Sequence, residues 1–288
     1  MPGTSLQIDV RQGSVLLFVA INVGVPPFDS IHVRRAASYA IDRSAILALM
    51  SDEGYRGQPA THLFPDALED GFLRDFDPYA SPNRRAAHAE MRMSRYDSDG
   101  DGVCDARVCE EVPAVFAPGG DGRAFVPLAR GLRRIGITLD VISFDRYAAG
   151  LCLDPARRQG LCIAFAWGSD YPEAYTFAHG LLDARSIGPN ACCNASMLGA
   201  PRAKLQRYDY AVEHVPNVQR WLNRCEAQIT ERERCWAELD RHLMTDVVPI
   251  IPISFDDDVN TLSRNVSNYF HDSFSGIPAL DRLVVART

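Results

Sequence analysis

The middle of this 288-residue chain alternates strand-like and helix-like segments. Residues 111–118 are typical of a short strand, residues 123–135 of an amphipathic helix, and residues 137–144 of a second strand. A strand, a helix and a second strand in this order form a βαβ unit, in which the crossover makes the two strands parallel. The alternation therefore predicts an α/β fold built on a sheet that is at least partly parallel.

Apolar spacing predicts further elements on either side of this unit. An apolar run at 14–22 indicates a strand, and helical spacing of apolar residues predicts one helix from 31 to about 50. Towards the C-terminus, the same spacing predicts helices over residues 204–213, 218–230 and 231–245.

The strand predicted over residues 161–167 leads into a group of residues that suits ligand binding. Its apolar run stops at a Gly-Ser turn, and Asp170 follows at once. Ligands in open α/β sheets lie beyond the carboxyl ends of the strands, where Trp167 and Tyr171 would flank this carboxylate. A carboxylate between aromatic rings suits a ligand amine. The alternative is that Asp170 caps a helix opened by Pro172.

Composition argues against several classes of function. The chain is 47% hydrophobic and 23% charged, as expected of a globular protein with a sizeable core. Its formal net charge is −7, with basic residues scattered among acidic ones, so a nucleic-acid groove or an anionic-membrane surface is not expected. No apolar run approaches the roughly 20 residues of a membrane-spanning helix.

The sequence carries no recognisable catalytic motif. It has no GxSxG, HExxH or CxxC pattern, and its seven histidines are scattered. We therefore predict that the chain is not an enzyme. An unrecognised extracellular hydrolase is the weaker alternative.

Eight cysteines are many for a cytosolic protein of this size and favour an oxidising compartment. Their spacing suggests three local bridges: Cys104 with Cys109, Cys152 with Cys162, and Cys225 with Cys235. Cys192 and Cys193 are left over, either as a vicinal bridge or paired elsewhere.

An acidic loop resembles a calcium-binding loop. The pattern DxDxDG places oxygens at alternate positions and a glycine at the sharp turn. The candidate ligands are Asp97, Asp99, Asp101, the Val103 carbonyl and Asp105. The twelfth position is Val108 rather than glutamate, so the loop is not a complete EF-hand. A structural calcium ion and a polar turn stabilised by a disulfide are the two interpretations. A calcium-binding extracellular interaction module without a transport role is thus an alternative function.

Two stretches carry a family resemblance, residues 164–173 (AFAWGSDYPE) and residues 27–43 (PFDSIHVRRAASYAIDR). The first resembles the ligand-site motif, and the second the "PFD…VRxAxxYAIDR" signature, of the extracellular solute-binding proteins of ABC importers, family 5, the dipeptide- and oligopeptide-binding type. We expect a structural role for the second stretch, in which Arg34 and Asp42 could form an ion pair.

The resemblance implies an α/β, periplasmic-binding-protein-like (type II) lobe, with a parallel or mixed sheet flanked by helices. Residues 1–24 would form a hinge strand and a remnant of the first lobe, and residues 25–247 the second, ligand-binding lobe. Residues 248–288 would form the return hinge strand and the C-terminal remnant of the first lobe. Most of the first lobe would lie upstream of residue 1. Because no secretion signal is visible, the N-terminus is not expected to be the native one.

The resemblance also implies a function. The chain would be part of the substrate-binding component of an ABC import system, holding peptides or other amine-bearing solutes between two lobes. Asp170 falls on the family's acid for a peptide's α-amino group, and Trp167, Tyr171 and Asn194 are the other expected ligand-binding residues. The partners would be the ligand and an ABC permease, with no nucleic acid.

The expected location follows from the same resemblance. The protein would work at the extracellular face of the cell membrane or in the periplasm, and would contact the membrane only through an upstream lipid anchor. No cofactor is required, apart from a possible structural calcium ion.

Two features depart from the family pattern. Oligopeptide binders carry arginines near the tryptophan motif for the peptide carboxylate, but the position three before Trp167 is Ala164, which leaves Arg157 and Arg158 as upstream candidates. A lone lobe also lacks an opposing wall, so we expect weak or no binding by this chain alone. We further expect the apolar segments 15–21 and 248–253 to be exposed and to promote association.

Overall fold

The computed structural model describes residues 6–52, 57–80, 82–116, 122–123, 125–142, 148–188, 193–272 and 277–286. Its strands are β1 (Leu6–Ile21), β2 (Gly57–Pro59), β3 (Val112–Phe116), β4 (Leu139–Val141), β5 (Leu161–Gly168), β6 (Ile250–Ser263), β7 (Val266–Asn268), β8 (His271–Asp272), β9 (Ile277–Pro278) and β10 (Val284–Val285). Its α-helices are α1 (Ile31–Ala40), α2 (Arg43–Asp52), α3 (Arg84–Arg92), α4 (Phe125–Arg133), α5 (Ala148–Cys152), α6 (Tyr175–Leu182), α7 (Arg202–Arg207), α8 (Gln219–Glu226) and α9 (Arg232–His242). Within the described residues, no helix is both long and apolar enough to cross a bilayer.

The main sheet is mixed, as predicted. Its described strands lie in the order β2-β6-β1-β5-β3-β4. Strand β3 pairs in parallel with both β4 and β5, so the predicted βαβ unit, with α4 as its crossover, is present. Strand β1 pairs antiparallel with β5 on one side and with β6 on the other. The long strands β1 and β6 therefore both lie inside the sheet, and neither is an edge strand.

Helices cover both faces of the sheet. Side chains alternate between faces along a strand, and β1 is apolar on both. Leu16 and Phe18 pack into one core with α6, α8 and α9, where Trp236 is fully buried. Val19 and Ile21 pack into a second core with α1 and α4. This two-sided burial is typical of a sheet sandwiched between helix layers.

The expectation that the apolar segments 15–21 and 248–253 would be exposed is wrong. Leu16 and Ile21 of β1 are fully buried, and Ile250 and Ile253 of β6 are each at most 3% exposed. The reason is that β1 and β6 pair with each other inside the sheet, where helices cover their side chains on both faces. The exposed apolar side chains lie instead in the outer half of β1, at Leu6, Ile8 and Val10.

The predicted helix from 31 to about 50 is two helices. Ile41, which follows α1, has an extended backbone with φ −77° and ψ 128°. The Asp42 carboxylate then accepts a hydrogen bond from the backbone N–H of Ala45 and caps α2. Ile41 and Ile46 stay buried in one core across the break, which explains why the apolar spacing looked continuous.

The predicted helix over 204–213 is also shorter than expected. Helix α7 ends at Arg207, and Asp209 has a left-handed backbone with φ 55°. A left-handed residue cannot continue a right-handed helix. The backbone beyond Asp209 therefore does not continue α7, although the apolar spacing predicted that it would. The predicted helix over 231–245 ends at His242 and continues as a π-helical turn, Leu243–Val247.

The "PFD…VR" stretch is structural, but the pair between Arg34 and Asp42 is not formed. Arg34 is 2% exposed, and its guanidinium donates to the carbonyls of Val247 at 2.8 Å and Phe28 at 2.6 Å. Burial lowers the pKa of Arg34 to about 10, which leaves it charged near pH 7. Through these two hydrogen bonds, Arg34 of α1 connects the segment before α1 to the turn that precedes β6.

The structure contains the three predicted local disulfides. They join Cys104 to Cys109, Cys152 to Cys162, and Cys225 to Cys235. Cys193 is disulfide-bonded as well, and Cys192 lies outside the described residues.

Candidate functional site

The candidate site begins where β5 leaves the sheet. Trp167 and Gly168, the last two residues of β5, pair with Leu16 and Val15 of β1. The chain then turns and enters helix α6 at Tyr175. The residues after β5 therefore lie at its carboxyl end, which is where ligands bind in open α/β sheets.

A pocket of about 380 Å³ lies at this end of the sheet. It is lined by Trp167, Asp170, Tyr171, Tyr175, Thr176, His179, Gly180, Arg185 and Ser186. The structure therefore brings together three of the four residues expected to bind ligand. Its volume is in the range of small-molecule sites.

The indole of Trp167 forms a fixed wall of this pocket. Its Nε1–H donates a hydrogen bond to the backbone carbonyl of Thr176 at 3.2 Å. The ring lies so close to Gly180 of α6 that a Cβ atom there would approach it to 2.6 Å. Glycine at position 180 thus lets the indole pack flat against the helix.

Asp170 is an exposed carboxylate at the mouth of the pocket. It makes no hydrogen bond or ion pair with any other described residue. Asp170 does not cap the next helix, since α6 begins at Tyr175 after Ala174 and has no side-chain cap. The helix-cap interpretation is therefore wrong, and the carboxylate is available to a ligand.

Arg185 brings a positive charge to the same pocket. Its guanidinium donates from Nε and Nη2 to the carboxylate of Asp183, at 2.6–3.0 Å. Burial alone would raise the pKa of Asp183, but these bonds and the charge of Arg185 hold it below its usual range. The two donors held by Asp183 leave Nη1 of Arg185 without a partner among the described residues.

Sequence reasoning missed Arg185 and proposed Arg157 and Arg158 for the ligand carboxylate. Arg157 instead approaches Asp154 to 3.8 Å, and Arg158 donates to the backbone carbonyl of Asp209. Neither lines the pocket. Arg185 lies 15 residues beyond Asp170, after a whole helix, so no local spacing could have identified it.

Tyr175 and His179 of α6 were also missed. Their rings lie 5.5 Å apart, and both line the pocket. They are four residues apart and therefore share one face of the helix. This spacing, directly after the acid, is a signal in the sequence that could have identified them.

Asn194 does not line the pocket. It is 3% exposed, and its side-chain amide donates to the carbonyls of Asp183 at 3.0 Å and Leu198 at 3.1 Å. Its own backbone N–H donates to the carbonyl of Ser186. The structure thus places Asn194 behind the turn that carries Arg185, where it positions the wall of the pocket. A direct contact between Asn194 and ligand stays a prediction.

The acidic loop forms a compact group away from the pocket. The carboxylates of Asp97, Asp99 and Asp105 offer oxygens that lie within 4.8 Å of one another. Asp101 is outside this group, and its carboxylate accepts a hydrogen bond from the N–H of Val103 at 2.7 Å. These positions agree with part of the predicted ligand set.

The same carboxylates also stabilise the loop without an ion. Asp97 accepts hydrogen bonds from the N–H groups of Gly100 at 2.7 Å and Gly102 at 2.8 Å. Asp105 accepts from the N–H of Ser98 at 2.7 Å and from its hydroxyl, and these bonds lower its pKa. Both interpretations of the loop therefore remain compatible with its geometry, and calcium binding stays a prediction.

Comparison with known proteins gives one match to a family model and several matches to solved structures. The family model for bacterial extracellular solute-binding proteins, family 5, middle region, matches residues 3–188. One similar solved structure is "Clavulanic acid biosynthesis oligopeptide binding protein 2", which is 23% identical with a TM-score of 0.72. The match covers 97% of this chain and 48% of that chain.

Two further structures show the same likeness. DppA from Helicobacter pylori in complex with the peptide STSA is 15% identical with a TM-score of 0.69, over 100% of this chain and 50% of that chain. AppA from Bacillus subtilis in complex with a nonapeptide is 15% identical with a TM-score of 0.70, over 98% of this chain and 53% of that chain. At these identities the likeness shows the fold alone. The chain spans about half the length of these structures, and no curated protein sequence matches it.

Proposed function

The chain belongs to the bacterial extracellular solute-binding proteins, family 5, and we propose that it supplies the ligand-anchoring part of an importer's binding protein. Its ligands are peptides or other small solutes that carry an amine. They bind in the pocket at the carboxyl end of β5, between this lobe and a second one.

The observation that carries this proposal is the carboxylate of Asp170, which has no partner in the part of the chain that the structure describes. An ammonium group that reaches it gains a charge-assisted hydrogen bond, the stronger kind of polar contact. Trp167, Tyr171 and Tyr175 line the same pocket, and aromatic faces attract cations. A negative charge among aromatic rings therefore favours a protonated amine over a neutral or anionic group.

Arg185 supports a ligand with two charged ends. Its free Nη1 offers donors to a carboxylate or carbonyl oxygen of the ligand, while Asp183 holds the rest of the guanidinium in place. A peptide has both an ammonium group and acceptor oxygens. This combination is the reason to favour peptides over simple amines.

Closure of a second lobe would complete the site. The outer half of β1 exposes Leu6, Ile8 and Val10 in an apolar row. A second lobe packed against this row would cover it and let hinge motion enclose the ligand. We place the whole protein outside the cytoplasm, as the docking partner of an ABC permease. The boundaries 1–24, 25–247 and 248–288 remain our division into hinge and lobe segments.

Replacement of Asp170 tests the proposal. In the two-lobed protein that contains this chain, Asp170→Asn should weaken binding of an unblocked peptide about 10- to 100-fold, because a charge-assisted bond is lost. Asp140→Asn is the matched control, since Asp140 is an exposed acid on the edge strand β4, away from the pocket. Calorimetric titration measures both. Equal affinities of Asp170→Asn and parent would reject Asp170 as the anchor.

Neither alternative function gains support. The family match is to binding proteins, and it favours neither a hydrolase nor a calcium-dependent interaction module.

A further inference from the structure

A buried group of acids and one histidine lies between the loop after β2 and helix α9. His62, Glu69 and Asp240 are each at most 2% exposed. The Nδ1 atom of His62 lies 3.3 Å from a carboxylate oxygen of Asp240 and 3.8 Å from one of Glu69. One ligand atom from each of the three residues lies within 4.8 Å of the others.

Glu69 makes this group unusual. Both of its carboxylate oxygens are buried, and neither has a hydrogen-bond partner among the described residues. An unpaired buried carboxylate costs several kcal/mol, so folded proteins rarely keep one without a compensating group. Glu69 is fully buried and points at the His62 ring and Asp240, so the compensating group belongs between them.

Asp240 is held in one orientation by the loop it faces. The backbone N–H groups of Leu63 and Phe64 donate to its carboxylate at 2.7–3.0 Å. The hydrogen bonds fix the carboxylate on α9 before anything binds. Metal-binding carboxylates are commonly hydrogen-bonded in this way.

The other nitrogen of His62 faces a second acid. Its Nε2 atom lies 3.6 Å from Asp66 Oδ1, a buried oxygen that has no hydrogen-bond partner among the described residues. A histidine that binds a metal usually donates its other ring N–H to a carboxylate, which fixes the tautomer. The placement of Asp66 fits that role. Nδ1 makes a 3.3 Å hydrogen bond with the Asp240 carboxylate, and an ion bound to both groups would replace this bond.

The acids of the group outnumber its one imidazole, which favours the binding of a positive species. Three carboxylates surround one imidazole, and no Lys or Arg nitrogen lies within 4.0 Å of Glu69 or Asp240 in the part of the chain that the structure describes. A proton and a metal ion are therefore the two competing occupants.

We propose that His62 Nδ1, Glu69 and Asp240 bind one divalent cation of the zinc class. Imidazole nitrogen together with carboxylate oxygen suits zinc better than calcium, which prefers oxygen ligands alone. Ligand atoms bonded to one tetrahedral zinc at about 2.1 Å lie about 3.4 Å apart, close to the spacing of His62 Nδ1 from its two partners. The ion would hold the loop that carries His62 and Glu69 against α9. Because the site is buried, its role would be structural.

Zinc binding by the 288-residue chain, without a histidine tag, tests this site. After removal of metals with a chelator, calorimetric titration with zinc chloride should show one zinc per chain, and zinc should raise the melting temperature. Glu69→Gln keeps the side-chain shape but removes a ligand, so we expect zinc affinity to fall more than about 100-fold. Asp66→Asn should weaken it about 10- to 100-fold, as expected of a positioning residue. Cobalt in place of zinc should give visible absorption bands that Glu69→Gln abolishes.

Two controls keep the result interpretable. Asp99→Asn, in the acidic loop, should leave zinc affinity unchanged. The metal-free Glu69→Gln protein should melt at or above the temperature of the metal-free parent, which shows that it folds. Absence of zinc binding at micromolar concentration, or binding that Glu69→Gln does not weaken, would overturn the proposal and leave the site to a proton.

Discussion

Among the side chains that line the pocket or support it, we expect the difference between paired and unpaired charges to determine which ligand binds. Asp183 and Arg185 hold each other, and Asp170 is paired with no other described residue. A ligand ammonium therefore finds one available carboxylate at the pocket and a guanidinium with spare donors beside it. We expect this arrangement, rather than the size of the pocket, to give it selectivity for amines.

The Asp183–Arg185 pair predicts a pH-dependent contribution to stability. Because the folded-state pKa of Asp183 is below its usual range, its ionised form stabilises the fold above the ordinary aspartate pKa of about 3.9. This contribution is lost as the pH falls through the folded-state pKa. Asp183→Asn should lower the free energy of unfolding by about 1 kcal/mol near neutral pH, and by less in acid. Urea unfolding across pH measures this, and a difference that is independent of pH would contradict the assignment.

Arg34 predicts a larger effect on stability, because its bonds are buried. Arg34→Met removes the donors to the carbonyls of Val247 and Phe28 and leaves both acceptors unpaired. We expect a loss of about 2–4 kcal/mol in the free energy of unfolding, measured in urea. Arg220→Met is the control, since Arg220 is exposed and should change stability by less than about 0.5 kcal/mol. A similar loss for both variants would show that Arg34 has no special structural role.

At the scale of elements, periodicity predicted the type of most helices and strands but not where they break. The βαβ unit of β3, α4 and β4 could be predicted because strand and helix spacing differ clearly there. The break at Ile41 could not, because Ile41 and Ile46 contact the same core on both sides of it. The position of Asp170 after β5 was predictable, but its freedom from a capping role depends on where α6 begins.

The acidic loop after α3 gives a prediction at this scale. If calcium binds between Asp97, Asp99 and Asp105, millimolar calcium should raise the melting temperature by about 2 °C or more, since a ligand that binds the folded state stabilises it. Asp97→Asn should abolish the shift, and a chelator should reverse it in the parent. An unchanged melting temperature with calcium would identify the loop as a turn held by its own hydrogen bonds and by the Cys104–Cys109 bridge.

At the scale of the whole molecule, the sequence could not show which distant residues contact each other. His62 and Asp240 are 178 residues apart, and no local pattern links them. The burial of β1 and β6 was missed for the same reason, because it depends on their pairing across the chain. Local motifs located the carboxyl end of β5, but tertiary packing placed Arg185 beside it.

Recognition of a ligand amine by this pocket can be tested with two matched pools of peptides. The two-lobed protein would be mixed with a pool of short unblocked peptides, or with the same pool acetylated at the N-terminus. Retained peptides would be identified by mass spectrometry after gel filtration. We expect retention of unblocked peptides and about tenfold less retention of acetylated ones, because acetylation removes the charge that Asp170 is proposed to bind. Equal retention of both pools, or retention of neither, would contradict it.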